Sequence, residues 1–294
     1  MKKLLTILPL LFIYSCATGS RDSARVLNSD KDLLAVESFQ RLSSNALEQL
    51  SSQSEYSGVV KCYQGKIDKG LEILRSQLNT RRKDPSYWNS MSVCYIRKAE
   101  FAKAQFYLET GLSLVSNKDQ ATLGTMKNNM ALIFMKLGHI QKAFDLFGEA
   151  IQLGNQSARY NRLHLALQEE WFDVFEKDYS YLSRRSPSDP DLLFTRALKH
   201  IYDDEIDKAL GILTKLPERE EVKTYKAFCL YLLDNPQDAV DVLHQVAFFD
   251  SREVKELNLE LRKAAKKAEE LKKEKLRQIE LRKVASEEKS KPKK

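Results

Sequence analysis

The chain has 294 residues, of which 43% are hydrophobic and 30% charged, with a formal net charge of +7. That apolar share can bury a substantial core and excludes a wholly disordered chain. Its 10 glycines and 7 prolines are about half the usual share, which argues against sandwiches, barrels and doubly wound sheets and for an all-α protein.

In chain order, residues 1–15 read as an export signal. Lys2 and Lys3 open it, and Leu4 to Tyr14 is an uncharged stretch, too short for the roughly 20 residues that span a bilayer. It ends in Ile13-Tyr14-Ser15-Cys16, which resembles the lipobox of bacterial lipoproteins. The resemblance implies a diacylglycerol on Cys16, cleavage before it, and a membrane anchor, with residues 16–28 as a polar tether. Ala17 is not the aspartate that retains such proteins on the inner membrane, so the expected location is the outer membrane, facing the periplasm. Residues 29–50 predict an amphipathic capping helix, with Leu33, Val36, Leu42, Ala46 and Leu50 along one stripe.

From residue 51 to 251 one pattern recurs. Around Ala143 stand Ala131, Phe134, Gly138 and Ile140 on one side and Phe147 and Ala150 on the other. The same register recurs around Gly70, Ala104, Ala209 and Ala239, with a worn copy around Phe175. The spacings between these reference residues are 34, 39, 32, 34 and 30. Small residues such as Ala131 and Ala143 let two antiparallel helices approach closely, and Phe134 and Phe147 fill the gap beside them. Because one hairpin cannot bury its apolar face alone, neighbours must stack. Asp84-Pro85 and Asp189-Pro190 mark helix starts, since proline is tolerated in the first turn.

This register resembles the tetratricopeptide repeat, a helix–turn–helix unit, and Trp88 stands where that family places an early tryptophan. The resemblance implies an all-α, right-handed solenoid of about six hairpins, whose first helices line a concave groove for peptides or helices. Projected onto that family, the groove positions are Tyr63, Asn89, Arg97, Asn128, Lys136, Tyr160 and Gln168. Asn89 and Asn128 are equivalent in consecutive repeats and would offer amides to a peptide backbone; Arg97 and Lys136 are equivalent too and would receive a carboxylate. Glu55 and Val59 replace the lysine and asparagine of the chaperone-binding clamp, which argues against that ligand.

Of the four cysteines, Cys62, Cys94 and Cys229 sit among apolar residues at helical spacing. They read as small core residues, with a Cys62–Cys94 disulfide in an oxidising periplasm as the alternative.

Residues 252–294 hold 16 Lys and Arg against nine Asp and Glu. Val254, Leu257, Leu261, Ala264, Ala268 and Leu271 form a seam for a long charged helix docking on the last repeat, with a coiled-coil dimer as the rival. The distal end is expected to be disordered, and its charge suits an anionic surface. The export signal argues against nucleic acid.

No catalytic motif is present: there is no GxSxG, HExxH, P-loop or GxGxxG. His139, His164, His200 and His244 fall in separate repeats, with His200 at the packing position of Phe134. Asp203, Asp204, Glu205 and Asp207 cluster at a turn, where acids favour the next helix N-terminus and no calcium loop is spelled out. The expected protein is no enzyme and needs no cofactor. It is a lipid-anchored adaptor for envelope proteins, and a lipobox followed by such repeats resembles the pilotin lipoproteins of type IV pilus systems, which assist secretin assembly. Recruitment of peptidoglycan hydrolases or motility proteins is the alternative reading, and a cryptic envelope enzyme a distant one.

Overall fold

The computed structural model describes residues 54–244 together with eleven helical positions between Leu259 and Gln278. The signal, Cys16, the tether, the capping helix and the tail seam lie outside the described residues. Every described element is a helix. The first hairpin is α1 (Ser57–Tyr63) and α2 (Ile67–Ser76), followed by the short α3 (Leu78–Arg81). The second is α4 (Pro85–Arg97) and α5 (Phe101–Leu112), and the third α6 (Gln120–Lys136) and α7 (Ile140–Gln152). The fourth is α8 (Gln156–Gln168) and α9 (Phe172–Arg185), and the fifth α10 (Pro190–Tyr202) and α11 (Ile206–Leu213). The sixth is α12 (Glu220–Leu232) and α13 (Pro236–His244). The architecture is therefore an all-α solenoid of helical hairpins, six among the described residues. None of the described helices is long and apolar enough to cross a membrane.

The register explains why these helices pair. Ala104, Ala143, Phe175, Ala209 and Ala239 are each 0% exposed, and Gly70 is buried with them. Ala131 is likewise 0% exposed opposite Ala143, with Phe147 buried beside it. In the first hairpin the approach is closest: a Cβ on Gly70 would lie 2.5 Å from both Cys62 Sγ and the Gly58 carbonyl oxygen, so only glycine fits there. The two Asp-Pro pairs start helices as expected. Asp84 Oδ1 accepts the Ser86 N–H at 2.9 Å and Asp189 Oδ1 the Asp191 N–H at 2.9 Å, capping α4 and α10.

All six hairpins turn in the same way. Five residues before each reference residue the backbone is left-handed: Gly65 (φ 78°), Ala99 (59°), Gly138 (79°), Glu170 (58°), Asp204 (61°) and Asp234 (59°). This conformation ends the first helix and turns the chain back onto it, as the Gly138 N–H to Met135 and His139 N–H to Phe134 bonds do in the third hairpin. Glycine occupies only two of the six, and an L-residue there pays roughly 1 kcal/mol in steric strain. Ala99→Gly is therefore expected to raise stability by about 0.5–1 kcal/mol, read as a higher urea midpoint with an unchanged slope. A lowered midpoint would mean that the Ala99 methyl is packed.

The described residues fall into two compact units, one ending at Leu192 and the other beginning at Leu193. In the first, each leading helix packs on its own partner and on the leading helix of the next hairpin, while each returning helix packs on the next leading one. This makes α1, α4, α6 and α8 one continuous layer. In the second, α11 and α13 both pack on α12, around Phe194, Leu198, Ala209, Phe228 and Leu243.

Candidate protein-binding face

The layer of leading helices carries all seven expected groove positions, and the structure gives them different roles. Asn89 and Asn128 are 1% and 0% exposed, so they lie within the wall and do not display amides on it. Asn129 Nδ2 donates to Asn89 Oδ1 at 2.9 Å, Asn128 Nδ2 to Asn129 Oδ1 at 3.0 Å, and Asn161 Nδ2 to Asn128 Oδ1 at 2.8 Å. This chain of buried amides ties α4 to α6 and α6 to α8. Each carboxamide both donates and accepts, so it can be buried without leaving a polar group unsatisfied. The equivalence of Asn89 and Asn128 was visible in the sequence. The intervening Asn129 and Asn161 were missed, although both stand 14 residues before their reference residues, Ala143 and Phe175.

Tyr63 and Arg97 are brought together. The Arg97 guanidinium lies 4.9 Å from the Tyr63 ring centroid, and its Nε donates to the Cys62 carbonyl oxygen at 3.0 Å. Arg97 therefore braces α4 against α1. Beside it, Cys62 and Cys94 form a disulfide with both cysteines 0% exposed, the alternative left open by the sequence. Cys229 is buried, and burial pushes its thiol up to about 12, leaving it unreactive at neutral pH. Tyr160 is 6% exposed and its hydroxyl donates to Asp189 Oδ2 at 2.6 Å, joining α8 to the cap of α10. Gln168 is half-buried at the end of α8.

Lys136, the last residue of α6, differs from these. It is half-buried, and burial alone lowers its pKa from 10.5 to about 8. No carboxylate among the described residues offsets that desolvation. Neutralising the ammonium, or pairing it with a carboxylate, would offset that cost.

Trp88, in α4, is stacked on Tyr107 of α5 at 6.0 Å and donates its indole N–H to the Arg82 carbonyl oxygen at 2.9 Å. The early tryptophan thus fixes the second hairpin. The described tail positions are helical and exposed, among them Lys263, Lys266, Lys267 and Lys273.

No protein-family profile matches the chain, and no curated protein matches it. Solved structures do. A tetratricopeptide repeat protein from Parabacteroides merdae superposes with a TM-score of 0.58 at 16% identity, covering 74% of this chain and 90% of that one. PilW, described as a widely conserved type IV pilus biogenesis factor, gives 0.56 at 15% identity, covering 71% and 98%. PilF of Pseudomonas aeruginosa gives 0.53 at 13% identity, covering 73% and 99%. Two of the three are thus matched over nearly their whole length. The chain has the tetratricopeptide-repeat fold, and in fold it resembles pilus-related proteins.

Proposed function

We propose that this protein is an exported, lipid-anchored adaptor that holds an envelope protein on its layer of leading helices and helps assemble or position a membrane complex, such as a secretin or type IV pilus machine. The observation that carries the adaptor reading is Lys136: a half-buried cation at the end of α6 for which the described residues supply no carboxylate, on a face where Asn89, Arg97, Asn128 and Tyr160 brace the fold. A partner bearing a carboxylate beside apolar side chains would satisfy it. Export is supported by the buried Cys62–Cys94 disulfide, because such bonds persist in oxidising compartments and are rare in the cytosol. The fold likeness to PilW favours a pilus-type complex over hydrolase recruitment.

The test is capture from cross-linked, detergent-solubilised envelopes by the wild type and by Lys136→Met. A secretin or other envelope-machine subunit held by the wild type and lost by the variant is the expected result. Captures identical in both would remove the assignment of this face. Folding controls itself, because the variant should be the more stable protein. Below pH 8 the native Lys136 is charged at a desolvated site, whereas neutralising it relieves the cost. The unfolded chain holds that proton up to about 10.5. Stability from this site is thus lowest below pH 8 and rises with pH between 8 and 10.5. Allowing for residual solvent, Lys136→Met should gain about 1–2 kcal/mol at pH 7, a difference that closes near pH 10.5. For the anchor, Cys16→Ser should move the protein from the membrane pellet to the soluble fraction.

A further inference from the structure

The turn of the fifth hairpin departs from its five counterparts. The three turn residues are Gln-Gly-Lys at 64–66, Lys-Ala-Glu at 98–100, Leu-Gly-His at 137–139, Glu-Glu-Trp at 169–171 and Leu-Asp-Asn at 233–235, but Asp-Asp-Glu at 203–205. His200, three residues before this run, replaces the aromatic seen at the same place in Tyr95 and Phe134. Among the described residues, this is the turn that gathers an imidazole and two carboxylates within reach of one another.

The backbone enforces the gathering. His200 and Asp203 are one turn apart at the end of α10, and the left-handed Asp204 swings Glu205 back, its N–H donating to the His200 carbonyl oxygen at 2.8 Å. His200 Nδ1 then lies 2.6 Å from Glu205 Oε2, with the imidazole side chain only 13% exposed. One ligand atom from each of His200, Asp203 and Glu205 lies within 4.8 Å of the others. Lys199 pairs with Asp203 through Oδ1, and Lys208 with Glu205 through Oε1 at 2.6 Å. The lysines thus hold one oxygen of each carboxylate, and the other oxygen of each, which for Glu205 is the one facing His200, is the one a cation would take.

We propose that His200, Asp203 and Glu205 form a binding site for a borderline divalent transition cation of the zinc type. Zinc accepts imidazole nitrogen and carboxylate oxygen at about 2.0–2.2 Å in a four-coordinate shell that water completes. Tetrahedral ligands at that radius stand about 3.4 Å apart, so His200 Nδ1 and Glu205 Oε2 have to open from 2.6 Å, while the widest pair closes by no more than about 1.4 Å. Asp203 and Glu205 are more than a third exposed on their side chains and can supply that movement. Calcium, which wants six to eight oxygens, is poorly served by one imidazole and two carboxylates. The metal would clamp α10 to the start of α11. This proposal stands apart from the binding face and does not rest on it.

The test is calorimetric titration of the tag-free full chain with zinc chloride and, separately, calcium chloride. One zinc per chain is expected, with a Kd on the order of 10 µM for a three-ligand, partly exposed site, and no calcium binding at the same concentrations. His200→Ala and Glu205→Gln should each weaken zinc at least 30-fold. Glu205 caps no side-chain bond in α11, so Glu205→Gln keeps the test decisive if His200→Ala fails to fold. Zinc affinity unchanged in either folded variant, no zinc binding at 100 µM, or calcium binding as tight as zinc would each overturn the proposal.

Discussion

Replacing Cys62 and Cys94 together by alanine is expected to lower the unfolding free energy by about 3–4 kcal/mol. The bond joins positions 32 apart in sequence, and cross-linking a loop of that length removes chain entropy from the unfolded state by this amount. It links α1, the shortest leading helix, to α4. In a repeat array each hairpin draws its stability from its neighbours, so an end unit has fewer of them. The loss should therefore be local: amide exchange in α1 and α2 should accelerate well before that in α6 and α7. The measurement is a urea melt of the wild type with and without reductant beside the double variant. The reduced wild type and the variant should agree. Thiol counting on the denatured chain without Cys16 should give one reactive thiol, Cys229, before reduction and three after it. Three thiols before reduction, in protein made in an oxidising compartment, would remove the bond and with it the structural support for export.

Much of this fold was legible because its physics repeats. A small residue where two helices cross has to recur in every hairpin, so Ala104, Ala143, Ala209 and Ala239 could be aligned by eye, and all are buried. The turn residue five positions earlier was harder to read. Its left-handed backbone is spelled glycine at Gly65 and Gly138, but alanine, glutamate or aspartate at the other four. The disulfide was not readable from register at all. Cys62 stands eight residues before its reference residue and Cys94 ten before, so the two are not equivalent, and each looks like a core residue of its own helix. The binding face was misread at Asn89 and Asn128 for a related reason. Periodicity shows which residues share a face, whereas the distance between neighbouring helices decides whether an amide on that face meets a ligand or another amide. Lys136 was found by position, and its desolvation became visible only with the neighbours in place.

Asp178→Ala should cost about 3 kcal/mol, at the lower end for breaking a buried ion pair. Asp178 is 0% exposed and accepts three bonds: from Arg159 at 2.8 Å and from Arg162 Nε and a terminal nitrogen at 2.7 and 2.8 Å. The Arg162 guanidinium also lies over Phe144 of α7, and that of Arg159 over Tyr181. The reason for this cluster lies in the worn repeat. Where the other hairpins have small residues, the fourth has Phe175 with Leu163 twelve residues before it, both 0% exposed. Across this bulkier crossing Asp178 of α9 takes a bidentate pair from Arg162 and a single bond from Arg159, both on α8. Removing the carboxylate leaves two guanidiniums, each about 15% exposed, without their acceptor. Asp178→Asn keeps an acceptor oxygen but loses the charge, and should fall between Ala and wild type. The triple change Arg159→Met, Arg162→Met and Asp178→Leu removes the charges together and should cost less than Asp178→Ala alone, because no unpaired ion remains. Urea melts order the four proteins, and hydrogen exchange should place the loss in α8 and α9. If Asp178→Ala lost under 1 kcal/mol, water would be hydrating both guanidiniums, and the fourth hairpin would be held by its apolar core, Leu163, Leu165, Phe175 and Leu182 among it.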